Sequence, residues 1–326
     1  EADAAAALAA AAAYVPATEP PDLAKCQVIF AAFFVSDPKR IRAIKEDGKK
    51  KCVACNYNPL YITYASAFRT NPNACGAVLT DGETVLEEHA ELKGVSVQRF
   101  DGLVRRETIG TGELMFERMK VYHAFLERAI EKGWTANVVM LDTDMVVIGD
   151  IGDAFEEPFD YGLSARAHEY WPINGGFQVA HGERLVQAER FLAYVLRNWE
   201  EALETNVDWS RTFEGDQNAY ADVVGERAIA SIFEHMSNGT THLMASVEQT
   251  SRWGESWGPF EVMIFTGLKY NLIPAGGGGK VRQHGTVVLH YKGTRKRSMP
   301  VAFSALKHGG RPEVIALKSL TRRKRR

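Results

Sequence analysis

The sequence has no uninterrupted apolar run of the roughly 18 residues that a membrane-spanning helix needs, which argues against such a helix within it. Charge of one sign is not in excess either. Lys and Arg total 39 against 41 Asp and Glu, a net charge of -2, so no overall basic field exists to attract nucleic acid or an anionic membrane. Cysteine is scarce: Cys26, Cys52, Cys55 and Cys75 are the four, all near the start. No second Cys-x-x-Cys and no spaced histidine pair follows Cys52-x-x-Cys55, which argues against a structural zinc and leaves two disulfides or four buried thiols. A Gly-rich, Lys-containing triphosphate loop is missing after the first apolar strand, which disfavours nucleotidyl transfer. The run Gly276 to Gly279 comes too late for that role and reads as a loop able to close over a ligand.

Apolar material is plentiful, at 45% of residues with 25% charged, enough for an ordinary globular core. Ala4 to Ala13 lacks the basic flank of a signal peptide and leads into Val15-Pro16-Ala17-Thr18-Glu19-Pro20-Pro21. Residues 1–25 therefore read as a low-complexity linker or stem, 26–305 as a single domain, and 306–326 as a basic tail ending Thr321-Arg322-Arg323-Lys324-Arg325-Arg326. A stem of this kind fits a membrane anchor outside this chain. The sequon Asn238-Gly239-Thr240 leans toward the secretory pathway or Golgi lumen rather than the cytoplasm.

Short apolar runs alternate with helical patterns. Residues 27–35, 76–80, 95–100 and 136–141 read as strands; 59–69 and 112–131 read as helices, the second closed by Gly133. Alternation of this kind predicts an α/β fold with a mostly parallel, doubly wound sheet, whose ligands bind at strand C-terminal ends. Further on come strands at 161–167 and 175–180, a helix over 184–201, and a strand at 287–291, a mixed half that shapes the acceptor side.

At the end of the fourth strand stand Asp142-Thr143-Asp144. Carboxylates two residues apart in extended chain point to one side and converge on a hard cation such as Mn²⁺ or Mg²⁺. A turn cap explains an isolated Asp-x-Asp equally well. In full, the segment Val-Val-Met-Leu-Asp-Thr-Asp-Met-Val-Val-Ile-Gly-Asp-Ile-Gly-Asp-Ala-Phe closely resembles the hallmark of GT-A glycosyltransferases related to glycogenin and bacterial lipopolysaccharide galactosyltransferases. Other segments extend the resemblance: Arg118 to Tyr122 upstream, then Ile173-Asn174-Gly175-Gly176, Gly215-Asp216-Gln217 and Val287-Val288-Leu289-His290-Tyr291-Lys292-Gly293. The usual Lys-Pro-Trp after the last motif is absent.

What the resemblance implies is a GT-A fold with a Rossmann-like half, and transfer of a sugar from a nucleoside diphosphate, expected to be uridine diphosphate, to a glycan, protein or small-molecule hydroxyl. Asp142, Asp144 and His290 would hold Mn²⁺ or Mg²⁺. Asp216 and Asn174 are the expected catalytic pair. Donor contacts would come from Asp142, Thr143, Asp144, Arg118, Lys120, Asn174, Gly175, Gly176, Gln217, Lys292 and Gly293, with Lys296 an alternative for the phosphates. Asp37 and Tyr61 are candidates for the nucleotide base, and Trp171, Trp253 and Trp257 for sugar stacking. Two rival readings stand beside this one: a haloacid-dehalogenase-like phosphatase, with Asp142 as nucleophile, and a GT-A scaffold that binds nucleotide sugar or glycan without turnover.

Overall fold

The structure, a computed structural model, describes residues 21–36, 59–84, 86, 95–109, 111–166, 168, 170–237, 241–247, 257, 259–274 and 285–308. β1 (Val28–Phe33) lies between two parallel neighbours, β2 (Ala74–Thr80) and β4 (Asn137–Leu141), and β2 pairs in turn with β3 (Val95–Arg99). Apolar residues on both faces suit β1 to this interior place. Ile29 and Ala31 enter one core cluster while Phe30 and Ala32 enter the other.

Helix α1 (Pro59–Thr70) packs Leu60, Tyr64 and Phe68 on the second cluster. On the first cluster lie α2 (Glu113–Glu131), α3 (Leu185–Glu204) and α4 (Gly215–Val224), the last followed by α5 (Glu226–Ser237). Gly133 closes α2 at φ 67°, a conformation costly for residues with a side chain.

Beyond β4 the sheet becomes mixed. β7 (Ile173–Ala180) runs antiparallel to both β4 and β6 (Tyr161–Ala165). β9 (Phe260–Thr266) is parallel to β6, and β8 (His242–Val247) forms an antiparallel edge, giving the order β3-β2-β1-β4-β7-β6-β9-β8. The parallel half and the mixed half are the architecture expected from the sequence. Strands β8 and β9 were not expected. β8 is half-exposed and lacks a long apolar run, so no strand period stands out.

A second, two-stranded sheet joins β5 (Met145–Val147) to β10 (Val288–His290), pairing His290 with Met145. Short α6 (Gly267–Tyr270) follows β9. Helix α7 (Met299–Lys307) closes a third cluster with α1.

A disulfide joins Cys26, just before β1, to Cys75 in β2. Cys52, Cys55, Asp37, the Asn238 sequon, Trp253 and the Gly276 to Gly279 run lie outside the described residues, as do residues 1–20 and 309–326.

Candidate metal centre

The chain leaves β4 at Leu141, passes through Asp142-Thr143-Asp144 and re-enters β5 at Met145. Both edges of this short path are held. On one side β10 pairs with β5; on the other, polar side chains of α1 and of Asn71 just after it reach the backbone. The Thr63 hydroxyl bonds the carbonyls of Thr143 and Met145 at 3.1 and 2.9 Å, Ser66 Oγ accepts from Val147 N, and Asn71 binds Gly149 O and Ile151 N. A helix here replaces a neighbouring strand as hydrogen-bond partner, which fixes where the two carboxylates point.

His290 Nε2 stands 3.1 Å from Asp144 Oδ1 and 3.4 Å from Asp142 Oδ2. One ligand atom from each of the three residues lies within 4.8 Å of the others. His290 is buried, and its Nε2 has no hydrogen-bond partner. The opposite ring nitrogen shows why. Asn271 Nδ2 donates to Ser164 Oγ at 2.6 Å, so its oxygen is the end that faces His290 Nδ1 at 2.8 Å. Nδ1 therefore carries a proton, which leaves Nε2 as the ring nitrogen turned to the carboxylates, an N–H donor to them without an ion and a ligand through its lone pair with one. Two carboxylates and one imidazole suit Mn²⁺ or Mg²⁺, and a buried, unpartnered nitrogen at their meeting point fits such an ion. Asn271→Leu removes the outer support and is expected to weaken Mn²⁺ binding by about 10- to 100-fold with the fold retained. Calorimetric titration checks this; an unchanged affinity refutes the role given to Asn271.

Cations surround the acids. Arg118, on α2, extends Nη1 to Asp142 Oδ1 and Nη2 to Asp216 Oδ2, each at 2.5 Å. Burial would lower its pKa, yet the two carboxylates outweigh that and hold it charged. Asp216 is raised, chiefly by burial, with Arg118 opposing. Asp144 shows the opposite balance: burial favours its neutral form, but His290 in its protonated form, and then Lys296 with Nζ 2.9 Å away, hold it well below the usual carboxylate range. Lys292 is lowered by burial, and then by nearby Arg166, against the pull of Asp142, Asp216 and Asp144.

Strand β7 brings Asn174, Gly175 and Gly176 against this cluster. A Cβ on Gly176 would stand 2.7 Å from His290 Cε1 and 2.8 Å from Asp142 Oδ2, and one on Gly175 would strike Asp216 Oδ2. Asn174 Oδ1 accepts from Gly176 N, which leaves its buried Nδ2 without a partner, as are Asp216 Oδ1 and Arg118 Nε. Gln217 Oε1 accepts from Arg166 Nη2 at 2.9 Å. In front of the acids opens a cavity of about 350 Å³, walled by Phe33, Phe34, Val35, Leu114 and Met115 and floored by Arg118, Asp142, Thr143, Asp144 and Lys296.

Not every expected residue converges. Lys120 lies over the Phe116 ring at 5.4 Å, on the flank of α2 facing away from Arg118. Tyr61 packs on Phe303, and Trp257 on Tyr194. Trp171 stacks on His168, and its carbonyl accepts from Arg166. Gly293 opens the 3-10 turn to Ser298 that carries Lys296. Arg166, Asn271 and Thr63 were missed. Asn271 follows the unread β9, and no local pattern marks the other two.

No protein-family model and no curated protein matches the chain. Among solved structures it is similar to a glycosyltransferase involved in glycosylation of the major capsid of PBCV-1, at 15% identity and TM-score 0.40, covering 85% of this chain and 99% of that one. It is also similar to the glycosyltransferase GlyE of Streptococcus pneumoniae TIGR4, at 15% identity and TM-score 0.45, covering 92% and 65%. A third is the galactosyltransferase LgtC in complex with donor and acceptor sugar analogs, at 13% identity and TM-score 0.44, covering 86% and 95%. Likeness this distant leaves the functional argument to the site itself.

Proposed function

We propose that this chain transfers a sugar from a nucleoside diphosphate, uridine diphosphate by its sequence resemblance, to a hydroxyl of a glycan, protein or small molecule. The observation that carries this reading is the convergence of Asp142, Asp144 and the unpartnered Nε2 of His290, with the two acids on the floor of a cavity with apolar walls. Those three residues would hold Mn²⁺ or Mg²⁺, which when bound neutralises charge on a departing diphosphate.

Charge balance supports a diphosphate ligand. Four basic side chains, Arg118, Arg166, Lys292 and Lys296, with a divalent ion, face four carboxylates, Asp142, Asp144, Asp216 and Glu214. Among the described residues the ion and these basic groups thus outweigh the acids, a sign that suits an anionic ligand. Lys296 and Lys292 bind the phosphates as point charges. Phe33, Phe34, Leu114 and Met115 give the nucleoside an apolar wall and exclude water.

The sugar meets the buried polar atoms that lack partners. Asn174 Nδ2 and Arg118 Nε donate to its hydroxyl oxygens, and Asp216 Oδ1 accepts from a hydroxyl. Leaving such atoms unpaired in an apolar setting is costly, so a ligand that pairs them is favoured over one lacking the hydroxyls. Gly175 and Gly176 let the sugar approach the strand backbone.

The test is release of nucleoside diphosphate from a panel of nucleotide sugars, with Mn²⁺ and with a chelator. Metal-dependent release from one or two donors is expected. No release, together with no metal-dependent nucleotide binding by calorimetry, removes the reading.

A further inference from the structure

Gln178 is fully buried on β7, and its strand partners Met140 and Leu163 both belong to the apolar cluster beneath α2, α3 and α4. A side-chain amide in such a place is unfavourable unless its hydrogen bonds are made. They are: Tyr161 and Tyr220 both give their hydroxyls to Gln178 Oε1, the former at 2.6 Å, and Gln178 Nε2 donates to Gly175 O at 2.7 Å. Both tyrosines are buried, and burial pushes their phenols well up, so they stay protonated donors.

Local strand geometry explains the need. Between β6 and β7 the register jumps from Leu163 opposite Gln178 to Ser164 opposite Asn174, so Gly175, Gly176 and Phe177 have no partner on β6. The ladder to β6 leaves the Gly175 carbonyl without a backbone donor, and the Gln178 amide supplies one. Tyr220 sits one turn after Asp216 on α4, and its hydroxyl lies 3.0 Å from the sulfur of Met119, next to Arg118 on α2. One buried amide thus ties together the three elements that carry Asp216, Arg118 and the Asn174 to Gly176 segment.

We propose that Gln178, held by Tyr161 and Tyr220, is a positioning residue that sets the separation between the Asn174 to Gly176 segment and Asp216. This deepens the sugar-transfer reading and rests on it for its kinetic consequence. The amide touches neither metal ligand nor cavity, so its loss shifts the alignment of the reacting groups and leaves their number intact.

Gln178→Leu keeps the side-chain volume and removes the amide. It is expected to lower the turnover number of Mn²⁺-dependent donor hydrolysis by about 10- to 100-fold, the scale of a small misplacement of reacting groups. The affinities for Mn²⁺ and for the nucleoside diphosphate without its sugar stay within about twofold of wild type, since the groups that would hold them are untouched. Amide exchange across residues 173–178 quickens relative to β4. A merely structural role predicts instead that activity follows stability. The triple variant Tyr161→Phe, Gln178→Leu, Tyr220→Phe separates the two, because it removes the stranded hydroxyls and is expected to regain melting temperature while turnover stays low. Turnover that recovers with the melting temperature overturns the proposal, as does a Gln178→Leu enzyme with wild-type turnover. Should Gln178→Leu not fold, Tyr220→Phe alone, which keeps the bond to Gly175, is expected to lose turnover by a few-fold with the affinity for nucleoside diphosphate and Mn²⁺ unchanged; wild-type turnover overturns the proposal. If the wild type releases no nucleotide, the sugar-transfer reading falls, and the exchange rates across 173–178 by themselves decide the positioning role.

Discussion

Asp144→Asn is expected to abolish Mn²⁺-dependent nucleotide release, lowering it by at least about 100-fold, while leaving the thermal transition close to wild type. Removing only an outer partner of a metal ligand typically costs about 10- to 100-fold, so losing the ligand itself lies at or beyond the upper end. Asparagine fits the space but carries no charge for a hard cation. Stability is largely preserved because the asparagine oxygen still faces buried His290, and Lys296, whose side chain is 45% exposed, returns to water. Release measured against Mn²⁺ concentration, with a circular-dichroism melt on the same preparation, checks both halves. Unchanged release would sink the metal assignment, and a collapsed melt would move Asp144 from chemistry to folding.

Arg118→Met has the opposite signature, a large loss of stability. Arg118 is 7% exposed and divides its guanidinium between Asp142 and Asp216, the latter 2% exposed. Methionine fills much of the volume but leaves two carboxylates facing each other, one of them wholly removed from water. Breaking a buried pair in this way costs about 3–5 kcal/mol, and here two pairs break at once. Urea denaturation should register the loss. Added Mn²⁺ should return part of it by neutralising Asp142, an effect larger than in the wild type. Arg118→Lys is expected to rescue little, since one ammonium on a flexible stem cannot span both acids as a planar fork does. A fully stable Arg118→Met protein would show that the two carboxylates do not need the bridge.

These two residues mark how unevenly the site can be read. Asp142 and Asp144 are legible as a pair of acids that ends an apolar strand, but they stand in the turn between β4 and β5, and their common direction comes from the contacts that hold that turn, Thr63 of α1 among them, rather than from a strand period of two. Arg118 against Lys120 is a subtler case. Arg118 shares the helical face of Leu114, Met115 and Tyr122, and Lys120 does not, so the 3.6-residue period held the answer once the buried face of α2 was identified. Gly175 and Gly176 are conspicuous as a pair, but what they make room for, Asp216 on one side and His290 with Asp142 on the other, is written in distant segments.

The chain by itself determined the periodic features: apolar runs for β1, β2 and β4, the amphipathic α2 with its glycine stop, and the two acids at the end of β4. Each depends on interactions within a few residues, where spacing along the chain is spacing in space. Tertiary structure alone decided which side of β7 meets the acids, that Asn271 orients His290, that Lys296 rests on Asp144, and that Gln178 holds a bulged carbonyl. Those contacts join residues far apart in the chain, and their energies depend on burial and direction, which arise only when the sheet closes and the helices cover it.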